Sequence, residues 1–204
     1  FEINNLDIIQ FVALADENHN ITILEADKNN IQTIHILIRS LFITDSVLKI
    51  GFDFKKIINR LSFFNTPLPA ESFFDIMLAG YLLNPEGSNT LERITTRFIP
   101  EFDQENSNDI NPSLYKKKYI NLLSNQLIRN LDLHDILTQK LKEDNLIDLF
   151  WNIEMKLLFI LSNMELVGFS IDKKMLREYS TKLKTISNDL QKQIFSLSGK
   201  EFNI

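Results

Sequence analysis

Few side chains in this sequence could do catalytic chemistry, because its 204 residues include no cysteine and only three histidines. The absence of cysteine excludes disulfides, thiol nucleophiles and cysteine-ligated zinc. His19, His35 and His134 lie far apart and show no metal-ligand spacing such as H-E-x-x-H. The sequence also has no G-x-S-x-G motif, phosphate-binding loop or dinucleotide-binding glycine pattern. Acidic and basic side chains are therefore the ones left to consider.

Two adjacent acidic pairs, Asp16/Glu17 and Glu143/Asp144, fall in expected turns or on solvated faces. Charged side chains lie on the surface by default, so neither pair predicts catalysis. A lysine triplet at 116–118 stands between two tyrosines, and such a cluster can contact nucleic acid by stacking on bases and pairing with phosphates. A solvated helix face with two half-buried tyrosines is the favoured interpretation, because short lysine runs are common on surfaces.

Composition and net charge limit the kinds of partner and cellular location that the chain is expected to have. It is 44% hydrophobic, which suffices for a sizeable core, and its net charge is −5. A free-standing nucleic-acid binder usually has a basic surface, so strong DNA binding by this chain alone is not expected. No apolar run approaches the roughly 18 residues of a membrane span, and the sequence shows no positively charged leader followed by an apolar stretch, the pattern of a secretory signal. These features predict a cytoplasmic protein without membrane contact.

Strand and helix patterns alternate over the first hundred residues. Two apolar runs, 8–15 and 21–26, flank a polar, asparagine-rich turn and predict a β-hairpin. A helix is predicted at 31–42, a strand at 46–52 and a helix at 54–64. This alternation predicts an α/β fold with a mixed sheet flanked by helices.

Residues 74–85 predict a further helix, with Asp75 placed to cap its first turn and Pro85 ending it. The polar segment 100–113 lacks periodicity and predicts a loop. A long helical region follows it.

The stretch 150–204 predicts two helices joined by a turn. In the first helix a set of apolar residues at helical spacing predicts one broad buried face; the set is Ile153, Leu157, Ile160, Leu161 and Met164. Gly168 is expected to end this helix and Gly199 the next one, because glycine adopts the left-handed conformation at low cost. Asp172 stands where an N-cap of the second helix would lie.

The exact amino-acid sequence of this stretch also shows a family resemblance, which helical periodicity alone could not reveal. The strings I-E-M-K-L, M-E-L-V-G-F-S-I-D and S-G-K-E-F-N-I resemble, with matching spacing, the junction between exonuclease and polymerase domains in family A DNA polymerases. Lys156 replaces the family's usual proline, which leaves that helix unbroken. The string F-D-I-M-L-A-G-Y-L-L-N-P resembles a helix of the family's DnaQ-like 3′–5′ exonuclease domain. The resemblance implies a ribonuclease-H-like exonuclease domain at 1–143, followed at 144–204 by the first helices of the polymerase domain.

The family's exonuclease holds two metal ions with four acidic side chains and a tyrosine from three motifs. In the second motif Lys55 matches, Asp53 replaces an asparagine, and Ile57 stands where the resemblance places a metal-binding aspartate. The third motif aligns its tyrosine and aspartate with Asn121 and Asn125; a register starting at Tyr119 instead puts Leu123 at the aspartate. The first motif aligns with Glu2 and Asn4 or lies before residue 1.

These replacements predict a vestigial exonuclease site, with no catalytic residue, metal or cofactor in this chain. The resemblance implies a parent DNA polymerase that extends primers with magnesium, and DNA as a partner through that full-length, monomeric enzyme, with no small-molecule cofactor. The predicted role of the chain is a structural platform. The basic side chains proposed to contact DNA are Lys55, Lys173, Lys174 and Lys182. Two alternatives stay open: an active nuclease of the same superfamily, and a non-enzymatic helical interaction module.

Overall fold

A computed structural model describes residues 11–61, 67–100 and 116–203, without the side chain of Lys116. Two of the predicted site residues, Glu2 and Asn4, lie outside the described residues, as do Tyr115 and nearly all of the predicted loop at 100–113.

The first two strands form the predicted antiparallel hairpin, with β1 at Phe11–Ala15 and β2 at Ile21–Glu25. Asp16 closes its turn: the carboxylate accepts hydrogen bonds of 2.9 Å from the backbone N–H of Asn18, the backbone N–H of Asn20 and the Asn20 side chain. The bond from the Asn20 side chain is the main cause that lowers the pKa of Asp16. This carboxylate therefore serves the turn, as the sequence predicts.

Two parallel strands, each followed by a helix, form the centre of the fold. Helix α1 (Ile31–Ile43) leads to β3 (Lys49–Gly51), and α2 (Phe54–Arg60) begins three residues after that strand ends. Strand β4 (Phe73–Asp75) pairs in parallel with β3, and α3 (Ile76–Leu83) begins directly at its end. The two strand–helix units therefore lie side by side, with both helices starting at the same edge of the sheet.

The predicted α/β class is confirmed, but the single mixed sheet is wrong for the described part of the chain. There the strands form two separate two-stranded sheets, one antiparallel and one parallel. Strands β3 and β4 have only three residues each, so their ladder is short. Helices make up most of the remaining described chain, and the ribonuclease-H-like topology stays a prediction.

The later helices are α4 (Leu91–Phe98), α5 (Lys116–Glu143), α6 (Ile147–Leu149), α7 (Met155–Val167) and α8 (Lys173–Ser198). A π-helical stretch, Phe150–Glu154, joins α6 to α7 without a break. Lys156 continues the helix, as expected where the resembled family has proline.

Aromatic and aliphatic side chains around β4 form the core. Phe73 and Phe74 are fully buried, and Phe73 packs edge-to-face against Phe54 and Phe159 with ring centroids 5.1 and 5.2 Å apart. Such pairs contribute about 0.5–1.5 kcal/mol each beyond the area that they bury. Helix α5 presents three fully buried leucines at four-residue spacing to the same core: Leu133, Leu137 and Leu141.

The predicted buried face of the first C-terminal helix is wrong. Its five apolar residues are 39–62% exposed, whereas Met155, Leu158 and Ser162 are buried. Helix α7 is apolar almost all round, and only the side that packs against α2 and β4 is covered within its compact unit. Apolar spacing alone could not identify which side that is.

The chain divides into two compact units, Phe1–Val167 and Gly168–Ile204. Helices α6 and α7 pack into the first unit, so the units do not coincide with the predicted domains 1–143 and 144–204. The position of the family's domain boundary at residue 143 stays a prediction.

The second unit is organised by its helix ends, as the sequence predicts. Gly168 and Gly199 have φ angles of +66° and +69°. Asp172 accepts hydrogen bonds of 2.9 Å from the backbone N–H groups of Lys174 and Met175, which makes it the N-cap of α8.

Candidate functional site

The second exonuclease-like motif lies at the turn from β3 into α2. Asp53 has a left-handed conformation (φ 57°), and its carboxylate accepts a hydrogen bond of 3.3 Å from Lys56 N–H, capping α2. Aspartate and asparagine tolerate this conformation better than most residues, which accounts for an aspartate where the resembled family has asparagine. Ile57 is half-buried and packs against the core. An isoleucine supplies no oxygen to a hard cation.

Asp75 is fully buried at the end of β4 and joins the starts of two helices. Its carboxylate accepts hydrogen bonds from Met77 N–H at 2.8 Å and Leu78 N–H at 3.4 Å in α3. It also accepts from Phe54 N–H at 2.7 Å and Asp53 N–H at 3.3 Å at the start of α2. The cap of α3 is predicted by the sequence, whereas the bonds to α2 are not. They follow from the parallel pairing of β3 and β4, which sequence alone did not give.

Burial raises the pKa of Asp75 to about 6, although the four backbone N–H groups each act to lower it. Buried carboxyl groups with raised pKa values are often functional. A carboxylate has about four acceptor positions, however, and four backbone donors already converge on this one. Asp75 therefore acts as a structural cap: Oδ1 accepts three of these hydrogen bonds and Oδ2 accepts the one from Phe54.

The third motif brings no carboxylate in either register. Asn121 and Asn125 are exposed on α5, one turn apart, and are neutral amides. In the other register Leu123 is half-buried, and the Tyr119 ring packs against Phe11 with centroids 5.7 Å apart. Among the described residues, no three acidic or histidine side chains are grouped to hold a metal ion. The described residues of the motifs thus do not fit a two-metal site.

Lys55, the first predicted DNA contact, belongs to a polar network between α2 and α7. Its Nζ lies 2.6 Å from a carboxylate oxygen of Glu165, and Asn59 donates a hydrogen bond of 2.6 Å to the other oxygen. The Ser162 hydroxyl in turn donates to the side-chain amide oxygen of Asn59. The hydrogen bond from Lys55 is the main cause that lowers the pKa of Glu165. The charge of Lys55 is therefore locally balanced, and DNA would compete with Glu165 for it.

Glu165 was not among the functional residues predicted from the sequence. It is the glutamate of the M-E-L-V-G string, and its signal was its place in the resemblance rather than any charge pattern. In the structure it fixes the end of α7 to the helix that carries the second motif.

Lys49 is a second residue whose interactions were not predicted from the sequence. It is half-buried on β3, donates hydrogen bonds to the Thr44 carbonyl and the Ser72 hydroxyl, and lies 4.5 Å above the Phe73 ring. Burial lowers its pKa. Because the Ser72 hydroxyl itself donates to the Pro69 carbonyl, this pair joins backbone segments and does not form a nucleophile with its base.

The other predicted DNA contacts lie in the second unit. Lys173, Lys174 and Lys182 are all exposed on α8. Lys174 lies 4.0 Å from Glu178, a spacing typical of a weak surface pair. Within the described residues, no helix is long and apolar enough to cross a lipid bilayer.

Comparisons with known proteins point to one kind of enzyme. No protein-family model matches the chain. The chain is 28% identical over 158 residues to DNA polymerase I of Streptococcus pneumoniae. The matched segment covers 75% of this chain and 18% of that protein. It is 26% identical over 197 residues to DNA polymerase I of Caldicellulosiruptor bescii, covering 94% of this chain and 20% of that protein. The chain thus spans about a fifth of the length of these relatives.

A solved structure shares the fold. The POL domain of Pol1 from M. smegmatis, in complex with DNA primer-template and dNTP, superposes with a TM-score of 0.71 at 19% sequence identity. The match covers 95% of this chain and 32% of that chain. At this identity the likeness establishes a common fold for the matched part.

Proposed function

Since this chain is related to one segment of the family A DNA polymerases, we propose that it is the exonuclease-like part of such an enzyme, without exonuclease activity. In this proposal residues 1–143 form a degenerate DnaQ-like, ribonuclease-H-like domain, and residues 144–204 begin the polymerase domain. Primer extension with magnesium, and DNA as the partner, belong to the full-length polymerase. The role of the segment itself is structural.

The observation that carries the proposal is the use of the second motif for folding. Asp53 caps α2, Ile57 packs on the core, and Asp75 holds the first turns of two helices together. In the second motif, Ile57 thus lacks a ligating atom at the position where the resembled family has a metal-binding aspartate, and the nearby carboxylates of Asp53 and Asp75 have structural roles. No step of a metal-dependent hydrolysis can be assigned to them.

The structural role rests on apolar surfaces that the described residues leave uncovered. The outer side of α7 carries Ile160 and Met164 at 55% and 62% exposure, and α8 carries Leu183 and Leu190 at 54% and 52%. Exposed large apolar side chains on one helix indicate an interaction site when they lie together as a patch. The relatives are about five times longer than the matched segment, so the proposed occupant is the polymerase body of the same protein.

An exonuclease assay tests the loss of activity. The chain is incubated with a 5′-labelled single-stranded oligonucleotide and magnesium or manganese, and the products are resolved by length. We expect no shortening above the rate of a buffer control. Stepwise loss of 3′ nucleotides would establish the active-nuclease alternative.

Hydrogen exchange tests the structural role. In a polymerase that contains this segment, backbone amides of α7 and α8 should exchange more slowly than in the chain alone, because the apolar surfaces become covered. Equal exchange in both proteins would favour a separate interaction module.

A further inference from the structure

The carboxylate of Glu165, near the end of α7, is bound at both of its oxygens by side chains of α2. Lys55 Nζ lies 2.6 Å from Oε1, and the Asn59 side-chain amide donates a hydrogen bond of 2.6 Å to Oε2. Paired donors that each serve one oxygen of the same group are typical of sites that bind carboxylate or phosphate. Glu165 thus lies where a ligand of α2 would lie.

The Asn59 side chain is held in place independently of Glu165. The Ser162 hydroxyl donates to the amide oxygen of Asn59, and the amide nitrogen is thereby directed toward the carboxylate. Ser162 is buried, with 1% of its surface exposed, so water does not compete for this bond. The donor of Asn59 therefore keeps its direction when the carboxylate leaves.

The ion pair between α2 and α7 is accessible to dissolved ions. The side chains of Lys55 and Glu165 are 34% and 50% exposed. Pairs this exposed add little stability, because water and salt screen them and two long side chains must be ordered. A dissolved anion with more than one charge can therefore compete with Glu165 for the two donors.

The distribution of charge favours a small anion over a long one. Helix α2 holds three basic residues and no acidic one, which attracts an anion locally. The first unit as a whole has 15 basic and 23 acidic residues, a net charge of −8. A nucleic-acid strand would meet this negative charge along many phosphates, whereas a single phosphate meets only the local positive charge.

We propose that Lys55 and Asn59 form a binding site for a small oxyanion of the phosphate class, which Glu165 closes as an internal competitor. Anion binding and the contact of Glu165 with α2 then exclude each other. Because Glu165 lies three residues before Gly168, the anion also releases the last turn of α7. The site needs no exonuclease chemistry and does not depend on the proposed function.

Phosphate titration of the whole chain tests this proposal. Inorganic phosphate is added up to about 50 mM at neutral pH in EDTA, with chloride keeping the ionic strength constant. Amide chemical shifts of α2 and of residues 162–167 are followed by nuclear magnetic resonance. The variant Glu165→Ala opens the site, and Glu165→Ala combined with Lys55→Gln also removes its cation. Glu178→Ala is the matched control, because Glu178 is likewise an exposed glutamate beside a lysine, Lys174.

We expect Glu165→Ala to bind phosphate about five-fold more tightly than the wild type or the control, because an exposed pair competes by roughly that factor. The double variant should bind at least about 10-fold more weakly than Glu165→Ala, since it lacks the charge of the site. In the wild type, residues 162–167 should respond with the same midpoint as α2. Equal affinity of wild type and Glu165→Ala, no binding to either, or binding that persists without Lys55 would overturn the proposal.

A single-stranded oligonucleotide at the same concentration of phosphate groups distinguishes the two sources of this group. We expect smaller shifts in α2 with the oligonucleotide than with free phosphate, and larger ones would overturn the assignment to a small anion. Because EDTA removes divalent ions, the titration is independent of the exonuclease assay, and either proposal can fail alone.

Discussion

At Asp75 one buried carboxylate accepts backbone hydrogen bonds from the first turns of α2 and α3. Each buried N–H group that loses its acceptor costs about 1–3 kcal/mol of stability. Loss of the Asp75 side chain should therefore destabilise the first turns of both helices. The same carboxylate links the second motif to the core.

Replacing Asp75 should destabilise the fold in a graded way. We expect Asp75→Asn to cost about 1–2 kcal/mol, since one amide oxygen cannot serve Phe54 and Met77 together, and Asp75→Ala about 3–4 kcal/mol. Urea unfolding at neutral pH measures both. Asp132→Asn, at an exposed position of α5, is the control and should change stability by less than about 0.5 kcal/mol. Equal stability of all three variants would contradict the double cap.

The raised pKa of Asp75 predicts a pH dependence with a definite sign. The native state, with a pKa of about 6, binds more protons than the unfolded state, with a pKa near 3.8, over the window between them. The contribution of Asp75 to the unfolding free energy therefore grows as pH falls from about 7 to 4, by up to about 3 kcal/mol.

Other groups titrate in the same window, so the difference between wild type and Asp75→Asn isolates this contribution. Urea unfolding of both proteins at several pH values should show the difference widening toward acid. A difference in unfolding free energy that stays constant, or that narrows below pH 6, would show that the pKa of Asp75 is not raised in the native state.

At the scale of single residues, sequence was informative where a local rule applies. The caps formed by Asp75 and Asp172 and the left-handed Gly168 follow from capping preferences and are confirmed. The bonds from Phe54 and Asp53 to Asp75, and the pairing of Lys55 with Glu165, span 21 to 110 residues of chain. No local rule predicts contacts at that separation.

Helix α7 illustrates the same limit at the scale of an element. Its existence and its end were predictable, but its covered side was not, because apolar residues surround it. Packing against α2 and β4 decides the side, and that packing depends on the parallel pair of strands. The adjacent leucines Leu157 and Leu158 lie on different sides, at 39% and 5% exposure.

These two leucines provide a matched test of the packing of α7. Leu158→Ala should destabilise the chain by about 2–4 kcal/mol, because it leaves a cavity in the core. Leu157→Ala makes the same chemical change on the outer side and should cost less than about 1 kcal/mol. Urea unfolding measures both. The reverse order would mean that the face first predicted from sequence is the buried one.

At the scale of the whole molecule, the relation to DNA polymerase I explains why local chemistry was a poor guide to function. The motif strings at 153–157, 164–172 and 198–204 carry the resemblance seen in the sequence, yet the described residues group no carboxylates into a metal site. The chain shares its fold with part of a polymerase structure at 19% sequence identity. The backbone architecture of the two proteins is therefore similar although most of their side chains differ. The two-sheet arrangement and the unit boundary after Val167 were beyond prediction, since both depend on long-range packing.

The central claim is that the exonuclease-like site cannot hold its metal ions. Manganese binding to the whole chain tests it most directly, because Mn²⁺ reports its coordination by electron paramagnetic resonance and by anomalous scattering in soaked crystals. We predict free-ion spectra up to millimolar Mn²⁺ and no anomalous peak beside Asp53 or Ile57. Two Mn²⁺ ions bound with micromolar affinity near Glu2 and Asp53 would contradict the account.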